Sequence, residues 1–142
     1  MNIVFVDGGV KAQREMAHKV VAYCLDYLLP DSNKLEIEVK LMNIRTDAMG
    51  YCEMGDNRRE YLLQIEKDQT LREFVGTICH EMVHLKQYAL KEMDPTAMDD
   101  GNLRWKDSVV SKETAYSDLP WEQEATDLQY VLADEIWEKN II

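Results

Sequence analysis

Residues 70–92 decide the fold, and they read T-L-R-E-F-V-G-T-I-C-H-E-M-V-H-L-K-Q-Y-A-L-K-E. Thr70 and Glu73 have the spacing of a capping box, in which the two side chains satisfy the first free amides of a helix. Apolar residues then recur at helical spacing, namely Leu71, Phe74, Val75, Ile78, Met82, Leu85 and Ala89. This stripe predicts an amphipathic helix from residue 71 to about residue 92.

His80, Glu81 and His84 give this helix the motif H-E-x-x-H. Residues four apart lie on one helix face, so the two imidazoles can bind one metal ion. Both histidines fall nearly opposite the apolar stripe, and Gly76 lies on their face, where a small residue lets another element approach. Glu81 is suited to act as a general base on metal-activated water. The motif therefore predicts a catalytic Zn²⁺ site.

A catalytic zinc site usually has three protein ligands and one water. The chain has three histidines, and the third, His18, lies on a different predicted helix, where a surface position is expected. No histidine follows the motif, so the missing ligand is predicted to be a carboxylate. The downstream candidates are Glu92, Asp94, Asp99, Asp100, Asp107, Glu113, Asp118, Glu122, Glu124 and Asp127.

The last predicted helix, residues 120–139, is the best source of that carboxylate, because a helix holds a ligand more rigidly than a loop does. Pro120 suits its first turn, and its apolar stripe consists of Trp121, Ala125, Leu128, Leu132 and Ile136. Glu124 lies beside Leu128 at the edge of this stripe, whereas Glu122 lies at the opposite edge with fewer apolar neighbours. The prediction therefore favours Glu124 as the third ligand and keeps Glu122 as the second choice.

The remaining elements predict a single α+β domain spanning residues 1–142. A small antiparallel or mixed sheet packs on an N-terminal helix, the motif helix and the C-terminal helix. An antiparallel meander is the economical arrangement for the strands in the middle of the chain. The predicted strands are 2–7, 35–44, 48–54 and 59–66, with a helix at 11–29 and a hairpin around 103–110.

The composition of the chain limits which binding partners and which cellular compartment are expected. A length of 142 residues suits one domain. The net charge of −11, without a basic patch, argues against a nucleic-acid partner. The start, Met1–Asp7, has no basic leader and an apolar run of only four residues, so neither a signal peptide nor a membrane span is expected. The three cysteines form no C-x-x-C pair and indicate reduced thiols in a cytoplasmic protein.

Two segments resemble the small zincin-fold metallopeptidases of the SprT-like and minimal-gluzincin kind, many of which phages and bacteria encode. They are C-H-E-M-V-H-L-K-Q at residues 79–87 and L-P-W-E-Q-E-A at residues 119–125. The resemblance implies a zincin-like fold and a peptide or protein substrate. In related sites the glutamate directly before an alanine on the later helix is the third ligand, which carries onto Glu124. It also implies that residues 59–66 form the sheet-edge strand that pairs with substrate.

These features predict a zinc metallopeptidase in which Glu81 moves the proton. Tyr116, close in sequence to the ligand helix, is a candidate donor to the charge that develops on the substrate carbonyl oxygen. Asp127 is a candidate for orienting a histidine. The alternative is a non-catalytic zinc-binding interaction protein of a phage or bacterium on the same scaffold. The absence of a cysteine cluster and the presence of Glu81 disfavour that alternative.

Overall fold

Three helices and a small mixed sheet make up the computed structural model, which describes residues 1–94, 98 and 100–142 and has an α+β fold. The helices are α1 (Lys11–Leu28), α2 (Leu71–Ala89) and α3 (Pro120–Glu138). The strands are β1 (Ile3–Gly8), β2 (Glu36–Met42), β3 (Gly50–Met54), β4 (Glu60–Glu66), β5 (Leu103–Trp105) and β6 (Ser108–Val110). The elements predicted from the sequence are confirmed, with ends that differ by a few residues.

The main sheet has the strand order β1-β2-β4-β3. β1 pairs with β2 in parallel, β2 pairs with β4 in parallel, and only β3 and β4 are antiparallel. The expected antiparallel meander is therefore wrong. α1 lies between β1 and β2 in the chain and supplies the crossover that a parallel pair needs. Alternation of apolar residues reports which face of a strand is buried, but it does not report the strand's direction.

The position of β4 in the sheet differs from the prediction as well. Residues 59–66 were expected at the sheet edge, but β4 pairs with β2 on one side and with β3 on the other. The edge strand on that side is β3, which packs against α2. Any peptide that adds a strand there would therefore pair with residues 50–54.

The core lies between one face of the sheet and the helices. The inward residues of the two central strands are buried: Ile37, Val39, Leu41, Tyr61, Leu63 and Ile65. α2 is the central helix, since it contacts α1, α3, β3 and β4. It is consequently buried around much of its circumference, with Cys79 against Cys24 of α1 at an Sγ–Sγ distance of 3.9 Å.

Local hydrogen bonds and backbone conformation explain where α2 begins and where it ends. The Thr70 hydroxyl oxygen accepts a hydrogen bond from the Glu73 amide at 3.2 Å, which confirms the predicted cap. At the other end, the Leu90 amide donates to the Lys86 carbonyl, and Lys91 takes the left-handed conformation with φ 59°. In the described part of the chain, no helix is long and apolar enough to cross a bilayer.

Candidate metal centre

Three side chains from two helices converge at one point. Nε2 of His80 lies 3.1 Å from Oε1 of Glu122, and Nε2 of His84 lies 3.1 Å from Oε2 of the same carboxylate. The ligand atoms of these residues all lie within 4.8 Å of one another. A His-His-Glu group at these distances can hold a metal ion. α2 contributes both histidines and the first turn of α3 contributes the glutamate.

Glu124, the favoured third ligand, lies elsewhere, and the structure places the second choice, Glu122, beside the histidines instead. Oε1 of Glu124 lies 2.9 Å from Nζ of Lys86 and accepts a hydrogen bond from Nε2 of Gln87 at 3.2 Å. Burial raises the pKa of Glu124, but the Lys86 ammonium outweighs it, and the net pKa is lowered. The Glu124 carboxylate is thus neutralised by a neighbouring cation instead of facing the histidines.

The rotation of α3 about its own axis explains why Glu122, and not Glu124, faces the histidines. The stripe that faces α2 consists of Glu122, Ala125, Gln129, Leu132 and Ile136, at steps of three and four residues. The sequence prediction used only apolar residues and drew the stripe through Leu128. In the structure Leu128 is only half-buried and Val131 is 44% exposed. The buried face therefore turns away from Glu124 and towards Glu122.

The other carboxylate candidates that the structure describes do not join the cluster. Glu92 pairs with Nζ of Lys86 at 2.8 Å. Asp99 lies outside the described residues. Among the described residues, the group that brings the ligand atoms together contains none of the remaining candidates, which are Asp94, Asp100, Asp107, Glu113, Asp118 and Asp127.

Glutamine amides contact both histidine rings at Nδ1, the nitrogen that does not face Glu122. Nδ1 of His80 lies 2.9 Å from Oε1 of Gln129, and Nδ1 of His84 lies 2.8 Å from Oε1 of Gln87. Since an amide oxygen only accepts, each Nδ1 carries the hydrogen and each Nε2 is left for the cluster. The donor set therefore fits a metal ion. The sequence prediction gave the orienting role to Asp127, which makes no hydrogen bond to a histidine in the described part of the chain.

Gln87 connects the centre to the neighbouring ion pair. It is fully buried, and its Nε2 donates to the Trp121 carbonyl at 3.0 Å and to Glu124. These two donations fix which end of the amide faces His84. The sequence feature that indicates contact with His84 is a glutamine three residues after this histidine, on the same helix.

The ionisable groups of the centre shift one another's pKa values. Burial raises the pKa of Glu122, but hydrogen bonds from His80 and His84 outweigh it and hold that pKa well below its usual range. Burial lowers the pKa of His84, but the Glu122 carboxylate outweighs it and the net pKa is raised. A metal ion that binds here therefore competes with protons for the imidazole nitrogens.

Glu81 lies beside the cluster and is only 6% exposed. Burial raises its pKa, the two histidines oppose that shift, and Glu122 adds to it, for a net increase. The edge strand passes close by: a Cβ added at Gly50 would lie 3.0 Å from Cγ of Glu81. Glycine at this position therefore allows β3 to approach the Glu81 side chain.

Tyr116 reaches the same carboxylate from the short 3₁₀ turn before α3. Its hydroxyl donates a hydrogen bond to Oε1 of Glu122 at 2.8 Å. Burial and the Glu122 carboxylate raise its pKa well above the usual value, so the phenol keeps its proton. The structure thus brings Tyr116 together with His80, His84 and Glu122.

A cleft of about 530 Å³ opens onto this centre. His80, Glu81, His84 and Glu122 all line it. The loop before β3 and β3 itself contribute Asp47, Ala48, Gly50, Tyr51 and Cys52. Tyr88 at the end of α2, Met93 after it, Tyr116 in the 3₁₀ turn and Trp121 in the first turn of α3 complete the described lining. The cleft gives a ligand access to both the histidines and Glu81.

No protein-family model, curated protein or solved structure matches this chain.

Proposed function

We propose that the protein is a zinc-dependent metallopeptidase with a zincin-like fold. The observation that supports it most is the convergence of His80, His84 and Glu122 beside the buried Glu81, inside an open cleft. Two imidazoles and one carboxylate are a ligand set of catalytic zinc sites in hydrolases. Structural zinc sites, by contrast, usually have four protein ligands that include cysteines.

The donor atoms favour zinc among the common metals. Imidazole suits Zn²⁺ and other transition metals, whereas Mg²⁺ and Ca²⁺ prefer oxygen ligands alone. When bound at such a centre, zinc lowers the pKa of a water ligand to about 7 and polarises a substrate carbonyl. Gln87 and Gln129 keep the imidazole rings oriented for this binding through their Nδ1 hydrogens.

Glu81 is the proton carrier in this proposal. Its carboxylate accepts the proton from the attacking water and delivers it to the leaving amine. The pKa of Glu81 is raised, so it lies nearer to neutral pH than the pKa of an ordinary glutamate. This suits a group that must both accept and release a proton. Burial also shields the carboxylate from bulk water.

In this proposal Tyr116 and β3 bind the substrate. The Tyr116 hydroxyl hydrogen-bonds to Glu122 in the free protein, and we propose that it donates to the developing oxyanion when a substrate is bound. β3 is the exposed edge of the sheet beside Glu81, so an extended peptide would pair with residues 50–54. This replaces residues 59–66 as the proposed substrate strand.

The two motif segments support a relationship to the SprT-like and minimal-gluzincin peptidases. The order of elements, strand, helix, strands, motif helix and later helix, is compatible with it. The ligand position differs from the expected one. Here the glutamate three residues before Ala125 faces the histidines, and Glu124, directly before the alanine, pairs with Lys86.

Glu81→Gln tests this function. We expect the variant and the wild type each to hold about one zinc per chain, while cleavage of casein or a peptide library by the variant falls by about 10²- to 10⁴-fold. Glu15→Gln on α1, whose side chain is 62% exposed, is the matched control and should retain full activity. If the zinc-loaded wild type cleaves no peptide, the enzyme proposal fails. A non-catalytic zinc-binding interaction protein on the same scaffold would then remain.

A further inference from the structure

The cleft contains side chains that recognise cations. Four aromatic rings line it, those of Tyr51, Tyr88, Tyr116 and Trp121. Three carboxylates line it as well, and no lysine or arginine is among the described residues that do so. Aromatic faces attract ammonium and guanidinium groups, and carboxylates pair with them. The composition of the lining thus favours a cationic ligand group over an anionic one.

Asp47 is the carboxylate of the cleft that the metal centre does not use. Glu122 belongs to the ligand group, and Glu81 lies beside it as the proposed base. Asp47 is exposed, and within the described part of the chain no hydrogen bond or ion pair satisfies its side chain. Among the described residues of the lining, it is therefore the carboxylate that remains free to pair with a ligand.

The loop that carries Asp47 is tied to the edge strand. Thr46 Oγ1 lies 2.8 Å from the Tyr51 hydroxyl and accepts a hydrogen bond from the Ala48 amide at 3.2 Å. These bonds bracket Asp47 on both sides in the sequence. They restrain the loop around Asp47, which lines the same cleft as Tyr51, so a cationic side chain in the cleft could contact both groups.

The net charge of the whole chain also favours a cationic ligand. A net charge of −11 gives the protein a negative field that raises the local concentration of cationic peptides. That field is not specific to the cleft, so the position of Asp47 must account for any selectivity along a peptide. A comparison of two Asp→Asn variants with the same change in charge separates these contributions.

We propose that the cleft selects peptide segments with an arginine or lysine side chain near the bond to be cleaved, and that Asp47 is the specificity-determining carboxylate. This rests on the proposed function in one respect, namely that a peptide occupies the cleft. The aromatic rings contact the apolar stem and the face of the cationic group, while Asp47 neutralises its charge.

Binding to the zinc-loaded Glu81→Gln protein tests the selectivity without turnover. The probes are fluorescent eight-residue peptides in which one arginine moves along a neutral sequence, each paired with a twin that has citrulline, a neutral isostere, at that position. We expect at least one arginine peptide to bind about tenfold more tightly than its twin at low salt, with a smaller ratio at high salt. Adding Asp47→Asn should reduce the ratio to about threefold or less, since only the ring contacts remain.

Asp26→Asn on α1 is the matched control, because it removes the same charge from an exposed residue that does not line the cleft. It should leave the ratio unchanged. Equal binding of all twins, no binding at all, or equal losses in the two Asp→Asn variants would overturn the proposal. Incubating the same peptides with the active protein keeps the two claims apart. An arginine preference in binding without any cleavage would refute the peptidase and support the selectivity, whereas cleavage without preference would refute only the selectivity.

Discussion

Glu122 and Glu124 are two residues apart on α3, and their carboxylates meet different partners on α2. Glu122 faces the two histidines. Glu124 faces Lys86, which also pairs with Glu92 at 2.8 Å. Burial lowers the pKa of Lys86, but these two carboxylates outweigh it and the net pKa is raised. Glu124 therefore stabilises the packing of α3 on α2, and Glu122 belongs to the His-His-Glu group that could hold a metal ion.

The ion pair of Glu124 predicts a pH-dependent effect on stability. Glu124→Gln should lower the free energy of unfolding of the metal-free protein by about 1 kcal/mol at pH 7, since Lys86 keeps a second partner. The folded state lowers the pKa of Glu124, so its contribution is complete above the unfolded value of about 4.3 and is lost as the pH falls through the folded value. Urea unfolding at pH 7 and at lower pH should show the difference between wild type and variant shrinking as the pH falls. A difference that grows towards acid pH would contradict this account.

In the candidate metal centre, the sequence predicts residues that share one helix better than it predicts contacts between two helices. His80, Glu81 and His84 follow from a spacing along α2, and the structure places all three at the centre. Which carboxylate meets the histidines depends on how α3 is rotated, and the α2-facing stripe of α3 contains two polar residues, Glu122 and Gln129. A search that accepts only apolar residues misplaces such a stripe, because the partners of these polar groups are histidines on another helix.

Gly76 of α2 lies against the Gln129 side chain of α3. A Cβ added at this position would lie 3.0 Å from Nε2 of Gln129, the residue whose Oε1 contacts His80. The sequence predicted a close approach at Gly76, and the structure confirms it with α3 as the approaching element. The glycine leaves room for the amide that orients the first ligand histidine.

Gly76→Ala should separate helix stability from metal binding. Alanine is favoured over glycine in a helix interior by up to about 1 kcal/mol, so the melting temperature of the metal-free protein should be unchanged or higher. The added methyl displaces the Gln129 amide, so zinc affinity should fall by about tenfold. Gln129→Met is the companion variant and should lose zinc affinity similarly without the gain in helix propensity. Unchanged zinc affinity in both variants would show that Gln129 does not orient His80.

The strands and helices themselves were predictable, because each shows its period within its own residues. The alternation in β2 and β4 and the stripe in α2 are local patterns, and the structure confirms all three elements. Strand order was not predictable in this way. The insertion of β4 between β2 and β3 arises from pairing between segments that are distant in the chain, and no local pattern records it.

In the whole molecule, a zinc ion would link α2 to α3 and therefore stabilise the folded state. At free zinc 100 times its dissociation constant, the stabilisation is about 2.7 kcal/mol, which corresponds to a rise of roughly 5–10 °C in melting temperature for a chain of this size. A chelator should reverse the rise. Glu122→Gln should show a much smaller rise in the same zinc buffer. An equal rise in wild type and Glu122→Gln would place zinc at a different site.

The most direct test of the central claim is the zinc content of three purified proteins. Wild type, Glu122→Gln and Glu124→Gln are equilibrated with zinc, desalted and analysed for metal per chain. We expect about one zinc in the wild type and in Glu124→Gln, and little or none in Glu122→Gln, since Glu122 is the carboxylate that shares the ligand cluster with His80 and His84 among the described residues. A full zinc complement in Glu122→Gln together with its loss in Glu124→Gln would contradict the account.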